Sequence, residues 1–312
     1  MRPARRWLAP FAAAVVALCL AVAGARGGTA GAHPEDPLRE VTGAFTGAAA
    51  SSSEPFDASS TIFPPDDRLQ VTDTTVAPFR AIVHLRFFRG GVRLRQCSGT
   101  MVAPNAVLTA AHCVTGGQPY VWADAVEVSP GRDGDRQPFG SAMGVSFSLA
   151  GGWLDGQPDL DIALIHLSED PFHGATAPPM TIAAMPIDYF TGRLLELAGY
   201  PADRPAGTMW RTTFTDAVAT NVRINTRADA TPGQSGSPVF ERNGGEFLVT
   251  GVYSIQTAGE NVAVRITPPL LEALLGYCAG RCTLTIGGDA PPPPPPWTAA
   301  VSVALVGIAA DR

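Results

Sequence analysis

From about Thr61 onward the chain is broken into short apolar runs, each closed by a turn residue. The runs are Ala81-Ile82-Val83-His84-Leu85, Ser98 to Val102, Ala106 to Thr109, Asp161 to Ile165, Leu194 to Ala198, Pro238 to Phe240, Phe247 to Tyr253 and Val262 to Ile266. Runs this short, bounded by Gly, Pro, Asn and Asp, are strands. Their number and regular spacing predict an all-β barrel or sandwich. The 33 glycines and 29 prolines leave little uninterrupted chain for helices. One helical pattern stands out, Pro268 to Tyr277, with leucines at 270, 271, 274 and 275.

The ends have a different texture. Arg2, Arg5 and Arg6 precede an apolar stretch from Leu8 to Val22 and the small residues Ala23-Gly24-Ala25. That pattern predicts a signal peptide over 1–25 and export to the periplasm or the cell exterior, with the Arg5-Arg6 pair pointing to a twin-arginine route. The stretch falls short of the ~20 residues of a spanning helix, so no stable membrane span is expected. Residues 26–60 are rich in Ala, Gly, Ser and Thr without apolar periodicity, which reads as a disordered pro-segment. In the last segment, 286–312, Pro291 to Pro296 form a stiff spacer before an apolar tail, Trp297 to Ala310.

Cleavage of the signal removes Cys19 and leaves Cys97, Cys113, Cys278 and Cys282. An even count in an exported chain indicates two disulfides. Three pairings are open, and proximity favours Cys97–Cys113 and Cys278–Cys282. A net charge of −6, with no basic cluster interleaved with aromatics, argues against a nucleic-acid partner.

The chain holds five histidines. His33 lies in the pro-segment, His84 and His166 inside strand patterns, and His173 in a loop. His112 closes the run Val107-Leu108-Thr109-Ala110-Ala111-His112-Cys113, where two alanines leave space around the imidazole and Cys113 can clamp the chain. An imidazole held this way suits general-base work. Asp161 stands at the mouth of the strand Ile162 to Ile165, where a carboxylate can be desolvated yet bonded to an imidazole N–H. Asp159 is the rival by spacing. Ser235 lies in Gly233-Gln234-Ser235-Gly236-Ser237-Pro238. A glycine two residues before the serine lets the N–H groups of Gly233 and Ser235 point at one spot, an oxyanion hole. An α/β-hydrolase would run serine, acid, histidine around a GxSxG elbow. Here the order is His112, Asp161, Ser235, and Ser237 occupies the second glycine's place.

Taken together, Cys97-Ser98-Gly99-Thr100, Leu108 to Cys113, Asp161-Ile162-Ala163-Leu164 and Gly233 to Pro238 resemble the chymotrypsin-like (trypsin-like) serine proteases. The segment Asp66-Asp67-Arg68-Leu69-Gln70-Val71-Thr72-Asp73-Thr74-Thr75 is similar to the mature start of the bacterial glutamyl endopeptidases. The resemblance covers about residues 61–285. It implies an all-β fold of two packed antiparallel barrels, 61–168 and 169–285, with a short C-terminal helix and the site in the cleft between them. It implies His112 as base, Asp161 as orienter, Ser235 as nucleophile, Ser254 beside the Asp161 carboxylate, and a mature chain beginning near Thr61. In the primary pocket, Ala230 and Tyr253 stand where the glutamyl branch has a threonine or serine and a histidine. Asp229 stands where trypsin-like enzymes keep the aspartate that binds Lys or Arg. Those positions imply a preference for basic side chains, with Gln256 narrowing the pocket and a solvated loop aspartate as the alternative. Gln234 replaces the aspartate that binds the new N-terminus in trypsin.

The function expected is a secreted serine endopeptidase acting through an acyl-enzyme on protein or peptide substrates, monomeric, without cofactor or metal. A catalytically silent binding or adhesion module and an exported esterase are the alternatives.

Overall fold

A computed structural model describes residues 36–47, 62–117, 119–174, 180–257 and 259–287. The expected signal peptide, Thr61 and the segment beyond Gly287, with its Pro-rich stretch and tail, lie outside the described residues.

Two sheets carry the fold. The strands in chain order are β1 (Glu40–Ala44), β2 (Leu69–Gln70), β3 (Ile82–Arg89), β4 (Val92–Ala103), β5 (Ala106–Thr109), β6 (Ala125–Pro130), β7 (Ala142–Ala150), β8 (Ala163–Leu167), β9 (Thr181–Ile182), β10 (Leu195–Gly199), β11 (Trp210–Phe214), β12 (Val218–Ala219), β13 (Arg223–Thr226), β14 (Pro238–Asn243), β15 (Glu246–Gln256) and β16 (Asn261–Arg265). The first sheet runs β1-β7-β6-β3-β4-β5-β8, and a β7–β8 pairing closes β3 to β8 into a six-stranded barrel. The second runs β12-β13-β16-β15-β14-β10-β11-β2. Among the described residues no pairing joins its ends, so the second of the two expected barrels is a half-barrel, and β9 joins β15 in parallel.

Inward residues account for both. Ile82, Leu85, Met101, Leu108, Leu149 and Leu164 are fully buried in one cluster that continues through Phe240, Val249 and Val264 into the second sheet. A second cluster gathers Tyr189, Phe190, Leu195, Leu197, Val239 and Tyr253. Fully burying side chains of this kind contributes ~1.5–3 kcal/mol each.

Two segments depart from the expected division. Residues 36–47, read as disordered, include a strand: β1 pairs with β7 from Glu40↔Ala150 to Ala44↔Ser146. On this edge β7 pairs with β6 only at Met143 and Ala142. The backbone groups of the rest of that edge would go unbonded, and β1 satisfies them. Strand β2, in the first half by sequence, pairs with β11 of the second sheet.

Among the described residues there are three α-helices: α1 (Ala111–Thr115), α2 (Gly151–Leu154) and α3 (Pro268–Cys278). Helix α3 matches the leucine pattern. Thr267 caps it by accepting from the Leu270 N–H at 3.3 Å, and Pro268 and Pro269 fit its first turn. It reaches back to the first barrel, where Tyr277 Oη donates to the Leu38 carbonyl at 2.6 Å.

Candidate active site

Strand β5 ends at Thr109, and α1 begins two residues later, putting His112 on its first turn. Ala110 and Ala111 are fully buried, so the backbone beneath the imidazole is fixed. Asp161 follows a tight turn at Pro158–Leu160 and enters β8 fully buried. Three donors meet it. The His112 backbone N–H reaches Oδ1 at 2.7 Å, His112 Nδ1 reaches Oδ2 at 2.6 Å, and Ser254 Oγ donates to Oδ2 at 2.5 Å. Burial pushes this carboxyl upward. The charge of His112 and the bonds from His112 and Ser254 outweigh it, holding the pKa below the usual carboxylate value. The rival Asp159 pairs instead with Arg223 Nε. Of the remaining histidines described, His84 packs on the Tyr200 ring at 4.9 Å and His166 meets Ser148 Oγ at 3.0 Å. His173 lies in a surface turn, its N–H bonded to the Asp170 carbonyl at 3.0 Å.

Ser235 sits on the turn before β14. Gly233 has φ +93°, and a Cβ there would lie 2.5 Å from the Tyr200 carbonyl oxygen, so only glycine fits. The turn's carbonyls face inward to β4: Ser98 Oγ donates to Gly233 O and Ser98 N to Ser235 O, both at 2.8 Å. With the carbonyls engaged there, the N–H groups of Gly233 and Ser235 have no hydrogen-bond partner among the described residues. Gln234 is buried and folds back on its own turn, its Oε1 accepting from Thr231 N at 3.0 Å.

His112 and Ser235 line one open cavity of about 290 Å³ with Arg95, Gly233, Tyr253, Ser254 and Gln256. Tyr253 is tied down through Oη to Asn261 Oδ1 at 3.1 Å. Trp153 of α2 stands 6.5 Å from the imidazole, ring centre to ring centre.

The pocket expectation changes at its base. Asp229 and Ala230 are buried and form no part of the cavity wall. The Asp229 carboxylate accepts the N–H of Phe63 at 2.6 Å and of Asp67 at 3.1 Å. Burial raises its pKa in spite of those two bonds. It is not a solvated loop residue: its carboxylate holds the segment before β2. Sequence reasoning also missed Arg68, which bridges Asp66, Asp203 and Thr231. A lone arginine after two aspartates carries no sign of a partner far along the chain.

Both expected disulfides form, Cys97–Cys113 with Cα atoms 6.2 Å apart and Cys278–Cys282 with Cα atoms 4.9 Å apart. Among the described residues the one cluster of metal-type donors is Cys97, His112 and Cys113. Its two sulfurs are bonded to each other, so no thiolate is left to ligate and the set does not fit a metal.

The Trypsin family model matches residues 72–268. The chain is 34% identical over 224 residues to the glutamyl endopeptidase of Bacillus licheniformis, covering 68% of this chain and 67% of that protein. It is 32% identical over 215 residues to a Bacillus subtilis protein named extracellular metalloprotease, covering 67% and 66%. The chain thus spans about two thirds of the length of these curated relatives. A solved Glu endopeptidase, in complex with MPD, superposes with a TM-score of 0.63 at 25% identity, covering 70% of this chain and all of that one. With a β-barrel, a half-barrel and a family match running from before β3 to the start of α3, this chain belongs to the trypsin-like serine protease family.

Proposed function

We propose that the protein is an exported serine endopeptidase. Ser235 attacks the peptide carbonyl, and His112 takes its proton and returns it to the leaving amine. Asp161 fixes the imidazole tautomer and stabilises the imidazolium. The Gly233 and Ser235 N–H groups receive the oxyanion, where each donor is worth ~10²–10³ in rate. The reading is carried by one observation: Asp161 grips both the backbone and the ring of His112, in the cavity that Ser235 lines. Two disulfides and the extracellular designation of the Bacillus subtilis relative support export. Substrates are proteins or peptides. A basic preference is not carried forward, because the Asp229 carboxylate is engaged elsewhere.

The test is covalent labelling of secreted protein with a fluorophosphonate, followed by mass mapping. An adduct on Ser235 that disappears in Ser235→Ala and in His112→Ala is the expected result. Folded, trimmed protein that takes no label would turn the reading toward a silent binding module.

A further inference from the structure

The wall of the reactive cavity contains a cation that the catalytic machinery does not use. Arg95, on β4, lines it together with His112 and Ser235. Its guanidinium is held in place by backbone carbonyls. Nε donates to Cys113 O at 2.8 Å, and Nη2 donates to Val121 O at 2.6 Å and Val114 O at 3.2 Å. Its Cζ also stands 5.9 Å from the centre of the Phe87 ring. Nη1 has no hydrogen-bond partner among the described residues, and no carboxylate there lies within ion-pair distance of Arg95. Many other arginines of this chain do have one: Arg68 pairs with Asp66 and Asp203, Arg193 with Glu241, and Arg223 with Asp159. Burial without a counter-charge lowers the Arg95 pKa to about 10, and the group remains charged at neutral pH. A fixed, half-desolvated guanidinium with a free nitrogen is a receptor for a carboxylate.

Its position indicates the side of the substrate it meets. The carbonyls of Cys113 and Val114 that hold it directly follow His112, the residue that hands its proton to the leaving amine. We propose that Arg95 is a specificity determinant that binds an acidic side chain of the substrate on the leaving-group side of the scissile bond. This rests on the serine endopeptidase reading and adds a substrate class to it. The basic side chain expected from Asp229 is replaced by an acidic one, recognised across the cleaved bond rather than before it. Nη2 is committed to Val114 and Val121, so the carboxylate engages end-on through the two N–H groups of Nη1. Such a contact is strong at low ionic strength and weakens with salt.

The experiment uses the secreted, trimmed protein and peptides that differ only by Glu or Gln at the first or second position after the scissile bond. The ratio of kcat/KM for Glu over Gln is read for the wild type, Arg95→Met and Arg95→Lys, at low and at about 1 M salt. The expected wild-type ratio is about tenfold, residing in KM, and it shrinks in high salt. It falls to about one in Arg95→Met and is partly kept in Arg95→Lys. A mere loss of packing would lower both rates and leave the ratio unchanged, and that result overturns the proposal. So does a wild type that cleaves the Glu and Gln peptides equally at both positions. No cleavage of any peptide together with no adduct on Ser235 would instead overturn the endopeptidase reading itself.

Discussion

Ser254 and His112 share one oxygen of Asp161: the hydroxyl lies 2.5 Å and the ring nitrogen 2.6 Å from Oδ2. The second oxygen holds the backbone of His112. Ser254 comes from the second sheet and His112 from the first, so this carboxylate is where the two halves agree on the position of the imidazole.

Ser254→Ala removes one of three donors from a fully buried carboxylate. A lost hydrogen bond to a charged group is worth ~1.5–3 kcal/mol. The expected outcome is a fall in kcat of at least about tenfold, larger than any change in KM, measured by steady-state cleavage of a neutral peptide.

Asp161 also makes stability depend on pH. Its folded pKa lies below the ordinary value, so it stabilises the fold above the unfolded pKa of ~3.9 and ceases to do so as pH falls through the folded value. The melting-temperature gap between wild type and Asp161→Asn should hold steady from about pH 8 to 5 and close below about pH 4. Thermal scans across that range check it. The same variant should lose about 10⁴-fold in kcat, through the wrong imidazole tautomer.

Gly233→Ala places a methyl 2.5 Å from the Tyr200 carbonyl and 2.9 Å from the Ala202 nitrogen, at φ +93°. The turn must rotate, taking one oxyanion donor with it. The expected result is a loss of ~10²–10³ in kcat. Fluorophosphonate labelling of Ser235 should slow in parallel, while the melting temperature drops only modestly.

Arg68→Met strips the shared cation from Asp66 and Asp203 and the Nη1 donor from Thr231. Removing one partner of a buried ion pair costs ~3–5 kcal/mol. Both acids are partly exposed, which places this change at the lower end, ~3 kcal/mol or roughly 6–12 °C in melting temperature. Thr231 also donates to Asp203 and opens the turn that leads to Ser235, so the labelling rate should fall as well.

What could be read beforehand was what neighbours in sequence determine. His112 and Cys113 sit together, with Cys97 close enough to clamp them, and Asp161 begins a run that had to be buried. Asp229 was misjudged because its spacing from Ser235 fixes a place on the turn but not the direction of the carboxylate. Two N–H groups more than 160 residues away set that direction. Strand β1 gave no apolar signal, because Glu40-Val41-Thr42-Gly43-Ala44 completes an edge with backbone bonds and buries little side chain. The openness of the second sheet depends on which strands pair, which single strands do not encode. Arg95 gave no signal in the sequence, since the cavity it lines is assembled from both sheets.

Strand β1 and helix α3 lie at opposite ends of the described chain, yet Leu38 accepts from Tyr277 across 239 residues and Glu40 pairs with Arg281 at 2.7 Å. A polypeptide that emerges amino end first can pair β1 with β7 once Ala150 has been made, but the brace from Tyr277 and Arg281 arrives only near the end of the described chain. A truncation that removed Tyr277 and Arg281 would therefore loosen the structure at the opposite end of the described chain, at Leu38 and Glu40.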